Sequence, residues 1–206
     1  MIVDPLTLLA FLPAALALNL TPGADMMFCL GLGLRAGPRP ALAASGGIAL
    51  GGMVHVTAAG LGLAAAIAAF PLALDVIRWL GVAYLLWLAL GALRQGPIRA
   101  EGRTMGAGRA FREGMVVNLL NPKVILFVLA FVPQFIDSAR AILPQFLICG
   151  LVLALGGFVI NGAVGMSAGG LGRRLATSPR LARGLGMASA AIFAALAARL
   201  ALMQRS

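Results

Sequence analysis

Between Pro5 and Leu34 the chain carries one charged residue, Asp25, which stands just after Pro22-Gly23 in a run that otherwise reads as a membrane span. All three residue types are costly in hydrocarbon. Proline removes a backbone donor and clashes with the preceding turn. Glycine adds backbone freedom. A carboxylate at membrane depth must face a partner or a wet cavity. The stretch Asn19-Leu20-Thr21-Pro22-Gly23-Ala24-Asp25 therefore predicts a helix that stops and resumes inside the bilayer. About a hundred residues later, Asn118-Leu119-Leu120-Asn121-Pro122-Lys123 repeats the device with a base where the first has an acid. Two broken helices of this kind point to a transporter built from two halves.

Composition sets the class. Mean hydropathy is +1.01; 61% of the residues are hydrophobic and 11% are charged. That is not the surface of a soluble domain. A chain of 206 residues has room for about six spanning helices of roughly 20 residues each. The expected fold is an all-α integral membrane protein with the lipid bilayer as its solvent. In a soluble protein a net charge of +10 would raise nucleic acid as a partner. Here the arginines fall between apolar runs, as membrane orientation requires, so no nucleic acid is expected.

The apolar runs place spans near residues 6–34, 41–70, 72–93, 113–135, 143–171 and 185–203. Repeat one is then residues 1–93, a basic linker covers 94–112, and repeat two is residues 113–206. An odd number of spans per half makes the halves inverted repeats, with broken helices at Pro22 and Pro122 meeting near the midplane. The loops after spans one, three and five hold 11 arginines against four on the other side, which puts those loops in the cytoplasm. Gly47 with Gly51, and Gly165 with Gly169, form small-residue faces that let helix backbones approach closely. Such faces permit a homodimer without specifying one.

A broken helix exposes N–H groups at the start of its second piece and carbonyls at the end of its first, so it offers partners to both ends of a zwitterion. Asp25 is the sharpest functional candidate. It could hold a substrate ammonium or exchange the coupling proton; structurally it could form an ion pair with Lys123. Lys123 could meet a substrate carboxylate or serve mainly as that partner. Asn19, Asn118 and Asn121 could bond backbone opened around Pro22, Gly23 and Pro122, or a ligand. His55 could relay protons, since histidine as a residue type changes charge near neutral pH, or hydrogen-bond across a helix contact. Asn161 reads as helix-to-helix glue, Tyr84 as an interfacial anchor or packing, and Cys29 and Cys149 as small buried hydrophobes. There is no HExxH, no GxSxG and no phosphate-binding loop. No enzyme, cofactor, metal site or ATP-driven step is expected.

These residues also carry a resemblance. Thr21-Pro22-Gly23-Ala24-Asp25 followed by Gly33-Leu34-Arg35-Ala36-Gly37 resembles the opening motif of the LysE/RhtB family of amino-acid exporters. So do Gly47-Ile48-Ala49-Leu50-Gly51 with His55, and Gly81-Val82-Ala83-Tyr84-Leu85-Leu86-Trp87-Leu88. The most specific match is Phe111-Arg112-Glu113-Gly114, then Asn118 to Lys123, then Phe131-Val132-Pro133-Gln134-Phe135. The family has a second proline before the acid where this chain has Ala24. The resemblance implies export of amino acids or close derivatives from the cytoplasm across the inner membrane, energised by protons. It also implies a transport site around Pro22, Gly23, Asp25, Asn118, Asn121, Pro122 and Lys123. Direction and substrate class come from the resemblance alone. The rival readings are an exporter of another small solute, such as a cation or amine, and a non-transporting membrane scaffold.

Overall fold

The computed structural model describes residues 2–69, 73–94, 104–168 and 178–202. Among them every long element is a helix. Helix α1 (Pro5–Leu20) starts on Asp4, whose carboxylate accepts from Leu6 N at 3.1 Å, with Pro5 in the first turn. Proline is tolerated there because its missing N–H would have no helical partner. Helix α2 (Ala24–Ala36) follows the break and ends at Gly37, which takes φ 90°. That left-handed conformation favours glycine and lets α3 (Pro38–Ala69) begin at once. Next come α4 (Ala73–Leu93), α5 (Ala107–Leu119), α6 (Pro122–Ala130) with a short 3-10 turn at Val132–Phe135, α7 (Ile142–Met166) and α8 (Pro179–Leu202).

The two breaks fall where the prolines lie. Helices α1 and α2 are bent by 51°, and α5 and α6 by 54°. One proline is enough for the first bend, since Ala24 opens α2 as an ordinary helical residue. Among the described residues α3 and α7 are long and apolar enough to cross a membrane, and each bent pair reaches that length together. Within α4 and α8 the described side chains include the apolar stretches Trp79–Leu93 and Gly186–Ala198. Among the described residues, two single helices and two bent pairs thus meet the length test for a span.

Several boundaries move. The fourth passage begins at Ala107, not near residue 113, so the basic linker is shorter than its composition implies. An exposed Arg109–Glu113 pair, 2.6 Å apart one helical turn from each other, marks the wetted face of α5. Polarity there reports a helix surface rather than a loop. Helix α8 begins at Pro179 rather than 185, and α7 ends at Met166 rather than 171. The middle of the expected linker (residues 95–103) and Gly169 lie outside the described residues.

Helix α3 is the centre of the packing. It lies along both α5 and α7, while α4 pairs with α8. The glycine faces make this close approach possible. A Cβ on Gly47 would collide with the Phe111 carbonyl oxygen, and one on Gly33 with the Gly165 carbonyl oxygen. The main core gathers Phe11, Phe127, Phe131, Phe146 and Phe193 with Cys149; a second cluster holds Cys29, Leu32 and Ile48. Both cysteines are free and buried. Leu6, Leu9, Leu151 and Leu155 point outward and are more than half exposed. Thr21, Ser45, Asn118, Asn121 and Asn161 are buried. Polar side chains inside and leucines outside are what a chain dissolved in hydrocarbon requires.

Candidate functional site

The first break frees carbonyls. In an unbroken helix Leu18 O would accept from the backbone N–H four residues on, which here is Pro22 and has none. The Lys123 ammonium takes that place, donating to Leu18 O at 2.9 Å and to Thr21 O at 2.8 Å. Thr21 closes α1 with its own N–H on Ala17 O at 3.0 Å. Gly23 leaves room for the lysine, because a Cβ there would come within 3.1 Å of Nζ.

The second break is built the same way from local parts. Asn121 caps α6, its Oδ1 accepting from Lys123 N at 3.1 Å, and Pro122 holds the first helical position. The Lys123 carbonyl accepts from the Tyr84 hydroxyl at 2.6 Å. The lysine is thereby fixed at its backbone from both sides, with its side chain aimed across to α1.

Asp25 and Asn118 join the two breaks. Asn118 Nδ2 donates to Asp25 Oδ2 at 2.9 Å. Asp25 Oδ1 and Asn118 Oδ1 are both buried without a hydrogen-bond partner among the described residues. Asn118 is only 3% exposed. Two orphaned acceptors at membrane depth are costly, and what would satisfy them is a donor, above all a cation. Asp25 and Lys123 form no ion pair within 4.0 Å. Ion pairs among the described residues include Arg109–Glu113 and Asp137–Arg140. The acid and the base face the same cavity without touching.

That cavity measures about 40 Å³ and is lined by Asn19, Gly23, Asp25, Asn118, Lys123 and Asn161, with Val56, Val124, Val128 and Leu153 as its apolar wall. At about 10–15 Å³ of such volume per water it has room for on the order of three waters.

Pro22, Asn121 and Pro122 shape the breaks rather than line this cavity. Asn19 lines it and also donates to Leu153 O at 3.2 Å, tying α1 to α7. His55 lies elsewhere. It lines a separate apolar cavity of about 740 Å³ between α3, α4 and α6. Its Nε2 is 3.2 Å from Asn118 O, and a carbonyl can only accept, so Nε2 carries the proton. His55 thus supports the backbone of Asn118. The expected result for His55→Gln, which retains a donor, is export within about tenfold of wild type; loss of all export in a transport assay would favour the relay role.

Two residues gain a role that sequence reading did not give them. Asn161 lines the cavity instead of only gluing helices, and Tyr84 braces Lys123. An amide inside an apolar run was a signal for the first. Nothing local signalled the second, since Tyr84 and Lys123 are 39 residues apart.

The LysE type translocator family matches residues 16–204 of the chain. The chain belongs to the LysE family. A homoserine/homoserine lactone efflux protein of Salmonella typhimurium is 33% identical, over 69% of this chain and 70% of the relative. A leucine efflux protein of Klebsiella pneumoniae is 30% identical over 97% and 96%. An uncharacterized membrane protein of Vibrio cholerae is 37% identical over 69% and 71%. No solved structure matches the chain. Family membership makes this a translocator-type membrane protein, as the motif resemblance implied.

Proposed function

We propose that this LysE-family protein is a multi-pass protein of the inner membrane that exports amino acids or close derivatives from the cytoplasm in exchange for protons. One observation carries the substrate class: the cavity joins two unpartnered acceptors, Asp25 Oδ1 and Asn118 Oδ1, to a lysine ammonium. The substrate's ammonium binds the two oxygens. Its carboxylate meets the N–H groups that open α2, where the helix dipole favours an anion. Lys123 has three donors, two of which hold the carbonyls; the third adds to the carboxylate site. The efflux proteins of Salmonella and Klebsiella among its relatives support the direction and the class.

Proton exchange follows from the same oxygen. Asp25 is the carboxylate on the cavity, and a proton and an ammonium compete for Oδ1. Protonation from the acidic outer face would release the substrate; deprotonation on the cytoplasmic side would restore the site. The arginine-rich loops set the cytoplasmic side, and two inverted halves supply the alternating access.

Purified protein in proteoliposomes tests this. With an acidic lumen, a labelled amino acid should accumulate inside as protons leave, and a protonophore should abolish the accumulation. Folded, inserted protein that moves no amino acid but moves an amine or a metal cation would replace this reading with the rival solute. Movement of nothing would leave the scaffold.

A further inference from the structure

Lys123 is the chain's sole lysine. Its ammonium sits where the end of α1 has lost a donor to Pro22, within 2.9 Å of Leu18 O and 2.8 Å of Thr21 O. Helix α1 has no basic residue of its own in its last turn. A helix C-terminus carries partial negative charge on carbonyls that lack intrahelical partners. In a bilayer these must be satisfied from within the protein or by a bound ion. The contributing helices are distant in sequence, Lys123 standing 105 and 102 positions after the residues of the two carbonyls. The lysine therefore reaches this position through the fold and not as a local cap.

We infer that the Leu18 and Thr21 carbonyls form a primary-ammonium site at the end of α1, which Lys123 occupies as a tethered cation in place of a free ion. Tethering removes most of the entropy cost that a free ion would meet on binding. It also links the two broken helices, because the occupant comes from α6 and the carbonyls from α1 and its cap. Gly23 keeps the approach open for an alkylammonium the width of the lysine's own end. The wild-type protein needs no free cation at this break; a chain without the lysine does, and methylammonium has the chemistry to supply it. The inference concerns the break itself and stands or falls separately from export.

The test uses full-length Lys123→Ala in nanodiscs, melted in methylammonium chloride and, at equal ionic strength, in tetramethylammonium chloride, which has no N–H to donate. The variant should melt roughly 5–15 °C below wild type. Methylammonium should saturably recover at least half of that loss, tetramethylammonium none, and wild type should respond to neither. No recovery in methylammonium, equal recovery in both salts, or an equal rise in wild type each overturns the inference. Should the variant fail to fold in either salt, wild-type protein carrying [15N]lysine decides, since its lysine side chain gives one signal. A slowly exchanging three-proton ammonium is expected. A two-proton amine, or an ammonium exchanging as fast as free lysine, overturns the inference.

Discussion

Replacing Asp25 by asparagine is expected to lower export by at least about 100-fold while the protein stays folded and inserted. The fold survives because the new amide oxygen can still accept from Asn118 Nδ2, the bond that Asp25 Oδ2 now accepts at 2.9 Å. What disappears is the charge on Oδ1, which has no partner in the resting protein. In a poorly hydrated cavity the loss of one member of a charge pair costs about 3–5 kcal/mol, and each 1.4 kcal/mol is tenfold. The proton route goes with it, so the residual flux should no longer depend on the pH gradient. The measurement is gradient-driven uptake into proteoliposomes, with gel filtration and thermal melting as the fold control. Wild-type flux from Asp25→Asn would remove Asp25 from both roles. Asp25→Glu keeps the charge on a longer stem and should retain more flux than the asparagine variant.

The second large effect concerns folding. Gly47→Val should destabilise the protein by about 3 kcal/mol or more. A Cβ on Gly47 would overlap the Phe111 carbonyl oxygen and approach Met115 N at 2.9 Å. Those are backbone atoms of α5 and cannot turn aside as a flexible side chain would. Either α3 and α5 separate or the helices shift in register, and both drag Gly51 away from Asn118, which a Cβ on Gly51 would meet at 2.9 Å. Export should fall along with stability. Gly62 is the control on the same helix, because nothing lies within 4 Å of a Cβ placed there. Gly62→Ala should be neutral or slightly stabilising, by up to about 1 kcal/mol, since alanine suits a helix better than glycine. Thermal melting of both variants in detergent reads the contrast. Equal behaviour of the two would mean that α3 and α5 are not in backbone contact in the membrane.

The close contact at Gly47 explains why the small-residue pattern was readable and its use was not. Spacing of four residues marks a face on which helices approach. It does not say whether the partner is another copy or a helix of the same chain. Here Gly47 meets α5 and Gly165 meets α2 and α3, both within the monomer. The misplaced start of α5 has a related cause. Five arginines among glycines over residues 94–112 read as a loop, but an arginine costs little on a wetted helix face, and Arg109 and Glu113 pair there.

The sequence by itself determined the class, the two breaks and the local construction of each. Those properties act within a turn or add along the chain: a proline lacks its N–H wherever it stands, Asn121 caps the helix that Pro122 begins, and hydropathy sums residue by residue. It also placed the chain in its family, through the motif from Asn118 to Lys123. Only the tertiary structure decided who meets whom. It sets Asn118, not Lys123, against Asp25, and it sends the Lys123 ammonium to carbonyls more than a hundred residues away. It also assigns His55 to the wall of another cavity. Those pairings depend on how helices far apart in sequence pack in space, with α3 and α5 in backbone contact at Gly47, and no one-dimensional spacing encodes that.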